Sequence, residues 1–304
     1  MRKHVFYMYF AAISSVFFAA ACGGGDDSGA NGGGDDSSAN PGDGGGGRDG
    51  SVSTSGDGGS KTDGSPTGSG SLTPGTSTLT ISAGGQSRSV LLHVPSQVAG
   101  HVIPLVIALH GDGDTSANFV TGTTQLESKS DADGFVLAAP QGITRDVMVG
   151  AQTVPQVDWD PYNDPPNNID LPLLDAIESQ LVASGSIDTK NISVYGYSQG
   201  GYMSFRYGME AAASLSCAAV LAAGDPFGGS RPTLVTGAAR KIPVSLQVGS
   251  DDNTGAVDTA SEAHTELVNN GNPVQYNVIS GAGHVPVPGD FSVPLDYCRG
   301  QSLP

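Results

Sequence analysis

A serine, a histidine and two adjacent aspartates carry the chemistry this chain could perform. Ser198 stands in Gly196-Tyr197-Ser198-Gln199-Gly200, a G-x-S-x-G pattern between a strand-like run, Asn191 to Tyr197, and a helix-like run that begins at Gln199. A nucleophilic serine needs that context. A tight strand-to-helix turn lifts its hydroxyl clear of a sheet, and flanking glycines let neighbouring backbone close in without a Cβ in the way. The hydroxyl attacks a carbonyl only if a base takes its proton and an acid holds that base in the right tautomer. Six histidines are available. His110 ends a strand-like run but precedes the serine. His284, in Gly281-Ala282-Gly283-His284, follows the last strand-like run, which is the place of the base in chains ordered serine, acid, histidine. Between them, Val248-Gly249-Ser250-Asp251-Asp252 offers two neighbouring acids, whose side chains diverge.

A tetrahedral intermediate also needs donors for its oxyanion. The N–H of Gln199, at the start of its helix, is one. The turn His110-Gly111-Asp112 supplies the other, with the N–H of Asp112 as the expected donor.

The elements that must position these residues alternate between strand and helix. Thr78 to Ile81, a Gly84-Gly85 turn and Ser89 to Val94 read as an antiparallel hairpin. Ile103 to His110 and Phe135 to Ala139 are continuous apolar runs, as expected of strands covered on both faces. Arg145 to Asn168 reads as a long irregular loop around the single tryptophan, Trp159. A helix follows, with Asp170 as its expected N-cap and Pro172 in its first turn. Cys217 to Ala223, Val244 to Gly249 and Val274 to Ile279 are further strands, and Ala256 to Asn270 is a helix stopped by Gly271. This alternation predicts an α/β fold with a mainly parallel sheet. In such sheets the chemistry lies beyond the carboxyl ends of the strands, where both His110 and Ser198 fall.

The 304 residues divide into three stretches. Residues 1–21 read as a secretory signal: Arg2 and Lys3, an apolar run, then Ala19-Ala20-Ala21. Cys22, directly after them, resembles the cysteine of a bacterial lipobox, which is lipidated and becomes the new N-terminus. Residues 22–75 are Gly, Ser, Asp, Asn and Thr with almost nothing apolar, a composition that predicts a disordered tether. Residues 76–304 have the length of one domain with a sizeable core. That stretch holds nine Lys and Arg against twenty-two Asp and Glu, most of the net charge of −17. Such an acidic surface argues against a nucleic-acid partner, and it leaves the lipid anchor as the expected contact with a membrane. Asp158, Asp160 and Asp164 lack the spacing of a calcium loop and read as solvated loop residues, so no metal is expected. Cys217 and Cys298 are either a disulfide or two separate thiols.

Over nearly all of the third stretch the sequence resembles the α/β-hydrolase superfamily. It looks most like the secreted polyhydroxybutyrate-depolymerase and feruloyl-esterase group. The matching pieces are Pro104 to Gly111, Gly134 to Pro140, Asn168-Ile169-Asp170 and Gly196 to Met203. The resemblance implies an α/β-hydrolase fold, with helices on both faces of the sheet. It also implies ester hydrolysis through an acyl-enzyme without a cofactor, with Ser198, Asp252 and His284 as the triad. Asp252 is preferred over Asp251 because the acid of that fold usually stands three residues after the glycine closing its strand, here Gly249. Two departures bear on the substrate. Val285 stands where that group often carries aromatic residues, and Asp112 places a carboxylate beside the oxyanion loop, which disfavours anionic acyl groups. The elbow also resembles that of acyl-protein-thioesterase-type carboxylesterases. The implied substrates are extracellular esters: polyester oligomers, or feruloyl and acetyl esters of plant polysaccharide. The implied location is the bacterial cell envelope. A peptidase on the same triad and a non-catalytic surface binding module are the competing readings.

Overall fold

A computed structural model describes residues 71–149, 152–284 and 291–304. The expected signal segment, the expected lipidation site Cys22 and the expected tether as far as residue 70 lie outside them. Residues ahead of Thr76 also join the domain: the Leu72 N–H donates to Ser186 Oγ (3.1 Å), and Leu72 packs against the core.

The first half of the chain runs β1 (Gly75–Ala83), β2 (Gln86–Val94), β3 (Ile103–Leu109), a short turn α1 (Ser116–Asn118), α2 (Leu126–Asp133), β4 (Val136–Pro140), β5 (Ile143–Val149) and β6 (Gln152–Asp158). The second half continues with α3 (Asp170–Val182), β7 (Ile187–Tyr197), α4 (Gln199–Glu210), β8 (Cys217–Leu221), a short α5 (Thr233–Thr236), β9 (Val244–Gly249), α6 (Thr254–Asn270), β10 (Val274–Ile279) and α7 (Ser292–Arg299). Eight strands form one sheet in the order β1-β2-β4-β3-β7-β8-β9-β10. β2 pairs antiparallel with both β1 and β4, and every pairing from β4 to β10 is parallel. The fold is therefore the expected one, with the opening hairpin as its antiparallel edge.

Strand composition explains the order. β4, β8 and β9 are buried at every residue, and β3 at all but Pro104, so they occupy the middle. Alternate residues feed two cores. Leu105, Ile107 and Leu109 of β3 join α3, α4 and α6 on one face, whereas Val106 and Ala108 join α2 and α7 on the other. β1 is rich in Ser and Thr and largely exposed, as suits an edge. α6 ends at Gly271, whose left-handed backbone (φ 76°) turns its N–H back to Leu267 and Val268.

Two expectations need correction. The stretch from Arg145 is not irregular throughout, because β5 and β6 pair as a separate antiparallel ribbon, Ile143 opposite Asp158 through Val149 opposite Gln152. Ile143, Arg145 and Val147 are half-buried while Thr144 and Asp146 are exposed. That is a strand alternation, obscured in the sequence by the arginine and by Pro155. A two-stranded ribbon tolerates the proline because one side of each strand needs no ladder donor. Asp170 is also not the cap of α3. Asn168 Oδ1 accepts the N–H groups of Asp170 and Leu171 (2.9 Å each), while the buried Asp170 carboxylate binds Arg88 and Arg145 (2.7 Å each).

Candidate active site

Ser198 occupies the turn between β7 and α4 with φ 54° and ψ −121°. A non-glycine residue there costs about 1–3 kcal/mol and persists only where its surroundings enforce it. Three glycines do so by close approach. A Cβ on Gly196 would run into the Gly200 carbonyl and Ser204 Oγ, and one on Gly200 into the carbonyls of Leu109 and His110. On Gly201 it would lie 2.7 Å from Leu221 O. The elbow is thereby wedged between the ends of β3, β7 and β8, and the Ser198 N–H donates to Leu221 O (2.9 Å).

The geometry brings Ser198, His284 and Asp252 together. His284 Nδ1 lies 2.7 Å from Asp252 Oδ1, and Nε2 lies 2.8 Å from Ser198 Oγ. A proton on Nδ1, facing the carboxylate, leaves Nε2 free to accept from the serine. The Asp252 side chain is fully buried. Asp251 is exposed: its N–H donates to Ala282 O (2.9 Å), and its carboxylate accepts from Ser250 Oγ (2.9 Å). β9 leads into Asp252, and the loop after β10 carries His284. Gly249 lets the two meet, since a Cβ there would strike the carbonyls of Ala282 and Gly283.

Two residues that the sequence reading passed over hold this chain of groups. Asn253 caps α6 through Ala256 N (3.0 Å) and donates its own N–H (2.6 Å) and Nδ2 (2.9 Å) to Asp252 Oδ1. An asparagine at the start of a helix-like run was the available signal for that cap. Tyr197 donates its hydroxyl to the His284 carbonyl (2.6 Å), and its ring packs 5.5 Å from the imidazole.

The His110–Asp112 turn lies beside the elbow. A Cβ on Gly111 would fall 3.6 Å from Ser198 Cβ. Among the described residues, neither the Asp112 nor the Gln199 N–H has a protein acceptor. His110 is fully buried and serves the turn: Nδ1 donates to Gly111 O (2.7 Å), and Nε2 accepts from Gly142 N (2.9 Å). Burial lowers its pKa, which fits a neutral ring. Trp159 is buried as well and donates its indole N–H to His110 O (2.9 Å), so it braces the turn from below.

Burial pushes the Asp112 carboxyl up to about 6, and its Oδ1 has no protein donor. Burial, with Asp112 nearby, pushes Asp158 up to about 7, against the Trp159 N–H that favours its charge. Contrary to the solvated reading of the loop acids, Asp158 and Asp160 are buried. Asp158 accepts the Trp159 N–H (2.7 Å), Asp160 accepts from Tyr162 and Asn163, and Asp164 pairs with Arg206 and Arg231. Among the described residues, no group of three or more His, Cys, Asp or Glu side chains converges as a metal ion would require. Cys217 and Cys298 form a disulfide between β8 and α7, with Cα atoms 5.3 Å apart.

Comparison with known proteins agrees with this architecture. The family model described as phospholipase/carboxylesterase matches residues 97–292. A bifunctional acetylxylan esterase/xylanase of Neocallimastix patriciarum is 27% identical over 168 residues, 55% of this chain and 22% of that protein, so the chain spans about a fifth of its relative's length. A thermostable esterase superposes with a TM-score of 0.57 at 19% identity over 75% of this chain and 63% of that one. A ferulic acid esterase does so at 0.53 and 17%, over 69% and 90%. At these identities the two structures speak to the fold alone, and it is the α/β-hydrolase fold.

Proposed function

The chain belongs to the phospholipase/carboxylesterase family, and from that premise we propose that it is a serine carboxylic-ester hydrolase working through an acyl-enzyme on Ser198. The observation that carries this reading is the hydrogen-bonded chain from Asp252 through His284 to Ser198 at the apex of a strained elbow. In the proposed cycle His284 Nε2 removes the proton as Ser198 Oγ attacks the ester carbonyl. Asp252 holds the ring and stabilises the imidazolium. The N–H groups of Gln199 and Asp112 receive the oxyanion. The intermediate collapses, His284 returns the proton to the departing alcohol, and water repeats the sequence to release the acid.

The substrate reading follows from the chain's own features and its curated relative. A carboxylate at Asp112 favours uncharged acyl groups. The name of the relative that is 27% identical supports acetyl esters of polysaccharide, with feruloyl esters and polyester oligomers in the same class of extracellular substrate. We propose further that the enzyme is exported and held at the cell envelope by a lipid on Cys22.

The test is an ester panel on the purified protein: a short-chain p-nitrophenyl ester, methyl ferulate, acetylated xylan and hydroxybutyrate oligomers. Ser198→Ala is expected to lower kcat by about 10³-fold or more on whichever ester is turned over, with an unchanged circular dichroism spectrum. A variant that kept its activity would sink the mechanism.

A further inference from the structure

The segment between β6 and α3 is irregular, yet it is held at many points. The Asp160 carboxylate accepts the N–H groups of Tyr162 and Asn163 (3.0 Å each) and Asn163 Nδ2 (2.8 Å). Asn168 Nδ2 donates to the carbonyls of Asp160 (2.6 Å) and Asn163 (2.9 Å). From α4 the fully buried Arg206 donates to the carbonyls of Pro161 (2.8 Å) and Asn163 (2.9 Å) and to Asp164 Oδ1 (2.6 Å). A buried guanidinium committed to a loop's carbonyls fixes that loop rigidly, because its planar donors demand one geometry.

What this framework presents is Tyr162. The residue is 42% exposed, and it is the one aromatic among the described large apolar residues that face solvent. Its hydroxyl is turned inward, beside the side chain of Gln199. That side chain also donates to Trp159 O (3.1 Å), and Gln199 is the residue next to Ser198. One end of the ring therefore lies beside the residue next to Ser198, while part of Tyr162 stays exposed to solvent. Fixing the hydroxyl removes most of the side chain's torsional freedom before anything binds, so little entropy is lost when the face is covered.

We propose that Tyr162 is a specificity-determining residue whose exposed ring face receives a six-membered ring, aryl or pyranose, carried by the ester next to its scissile bond. This rests on the esterase reading above and narrows it to ring-bearing esters. The ring can sit in the acyl part, as in a cinnamate, or in the alcohol part, as in an acetylated sugar. Both present a flat or C–H-lined face to the same aromatic surface.

The experiment measures kcat/KM for methyl ferulate, for methyl O-acetyl-xylopyranoside and for methyl acetate, which carries no ring. Wild-type enzyme is compared with Tyr162→Ala and Tyr162→Phe. The quantity read is each ring ester's kcat/KM divided by that of methyl acetate. In Tyr162→Ala one of the two ratios is expected to fall about threefold to tenfold, mainly through KM, the size of an aromatic contact. The ratio that falls tells whether the ring belongs to acid or alcohol. Tyr162→Phe, which keeps the face, is expected to hold that ratio within about twofold. The proposal is overturned if neither ratio falls in Tyr162→Ala, if Tyr162→Phe loses as much as Tyr162→Ala, or if wild-type enzyme cleaves methyl acetate but neither ring ester. A wild-type enzyme that cleaves none of the three overturns the esterase reading itself, and this proposal with it.

Discussion

At the scale of single residues, the elbow shows how much of a site three glycines can enforce. Gly196, Gly200 and Gly201 touch backbone from three strands, and that crowding is what holds Ser198 at φ 54°. The proposed serine and base, which the structure brings within 2.8 Å of each other, were both legible in the sequence, because the pattern around Ser198 and the downstream position of His284 admit few alternatives. The acid was legible only to within a pair. Asp251 and Asp252 are chemically identical, and which one points inward depends on how the β9 turn closes against Ala282, a contact distant in sequence. The structure places Asp252 on the imidazole and Asp251 in solvent. Asp252→Asn is therefore expected to lower kcat by about 10³-fold or more, because an amide facing Nδ1 favours the wrong tautomer. Asp251→Asn should stay within about twofold. Steady-state kinetics on one ester with both variants checks the pair, and a larger loss in Asp251→Asn would reverse the assignment.

At the scale of elements, the sequence disclosed those with an apolar period and hid those without one. The central strands were evident as apolar runs. α2 was hidden because only Leu126 and Ser130 of its eight residues are buried. α7 was hidden because Pro294 and Cys298 interrupt its pattern, although both are buried. The β5–β6 ribbon has the largest consequence for the candidate site, since it ends in Asp158 beside the His110–Asp112 turn. In the folded protein Asp158 keeps its proton to about pH 7, and in the unfolded chain only to about 3.8. Between those values the folded state binds more protons, so this group's contribution to stability declines as pH rises and is level above about 7. Asp112 adds a decline in the same direction, ending near 6. Asp158→Asn, which imitates the neutral acid, should gain on wild-type protein across that window. Urea midpoints measured at about pH 4, 5.5 and 7 check it. A gap between the two proteins that does not widen with pH would show that Asp158 is not held protonated.

At the scale of the molecule, two cores flank one sheet, and the site lies where the middle strands end. The proposed anchor is tested at this scale, because it concerns where the whole chain resides. Cys22→Ala is expected to move the protein from the membrane fraction to the soluble fraction on cell fractionation. Retention in the membrane fraction would remove lipidation from the account. The disulfide also acts across the molecule. It joins positions 81 residues apart, a loop whose closure contributes about 4.5 kcal/mol in the chain-entropy model. Its position has a mechanical consequence. Cys217 of β8 pairs in register with Ser193 of β7, the strand that runs on to Ser198. Cys298 belongs to the helix that follows the stretch bearing His284. The chain that carries the proposed base is thus bonded covalently, downstream of it, to the strand beside the one that bears Ser198. Ser198 and His284 therefore lie on segments that share one covalent link in addition to the hydrogen bonds of the sheet.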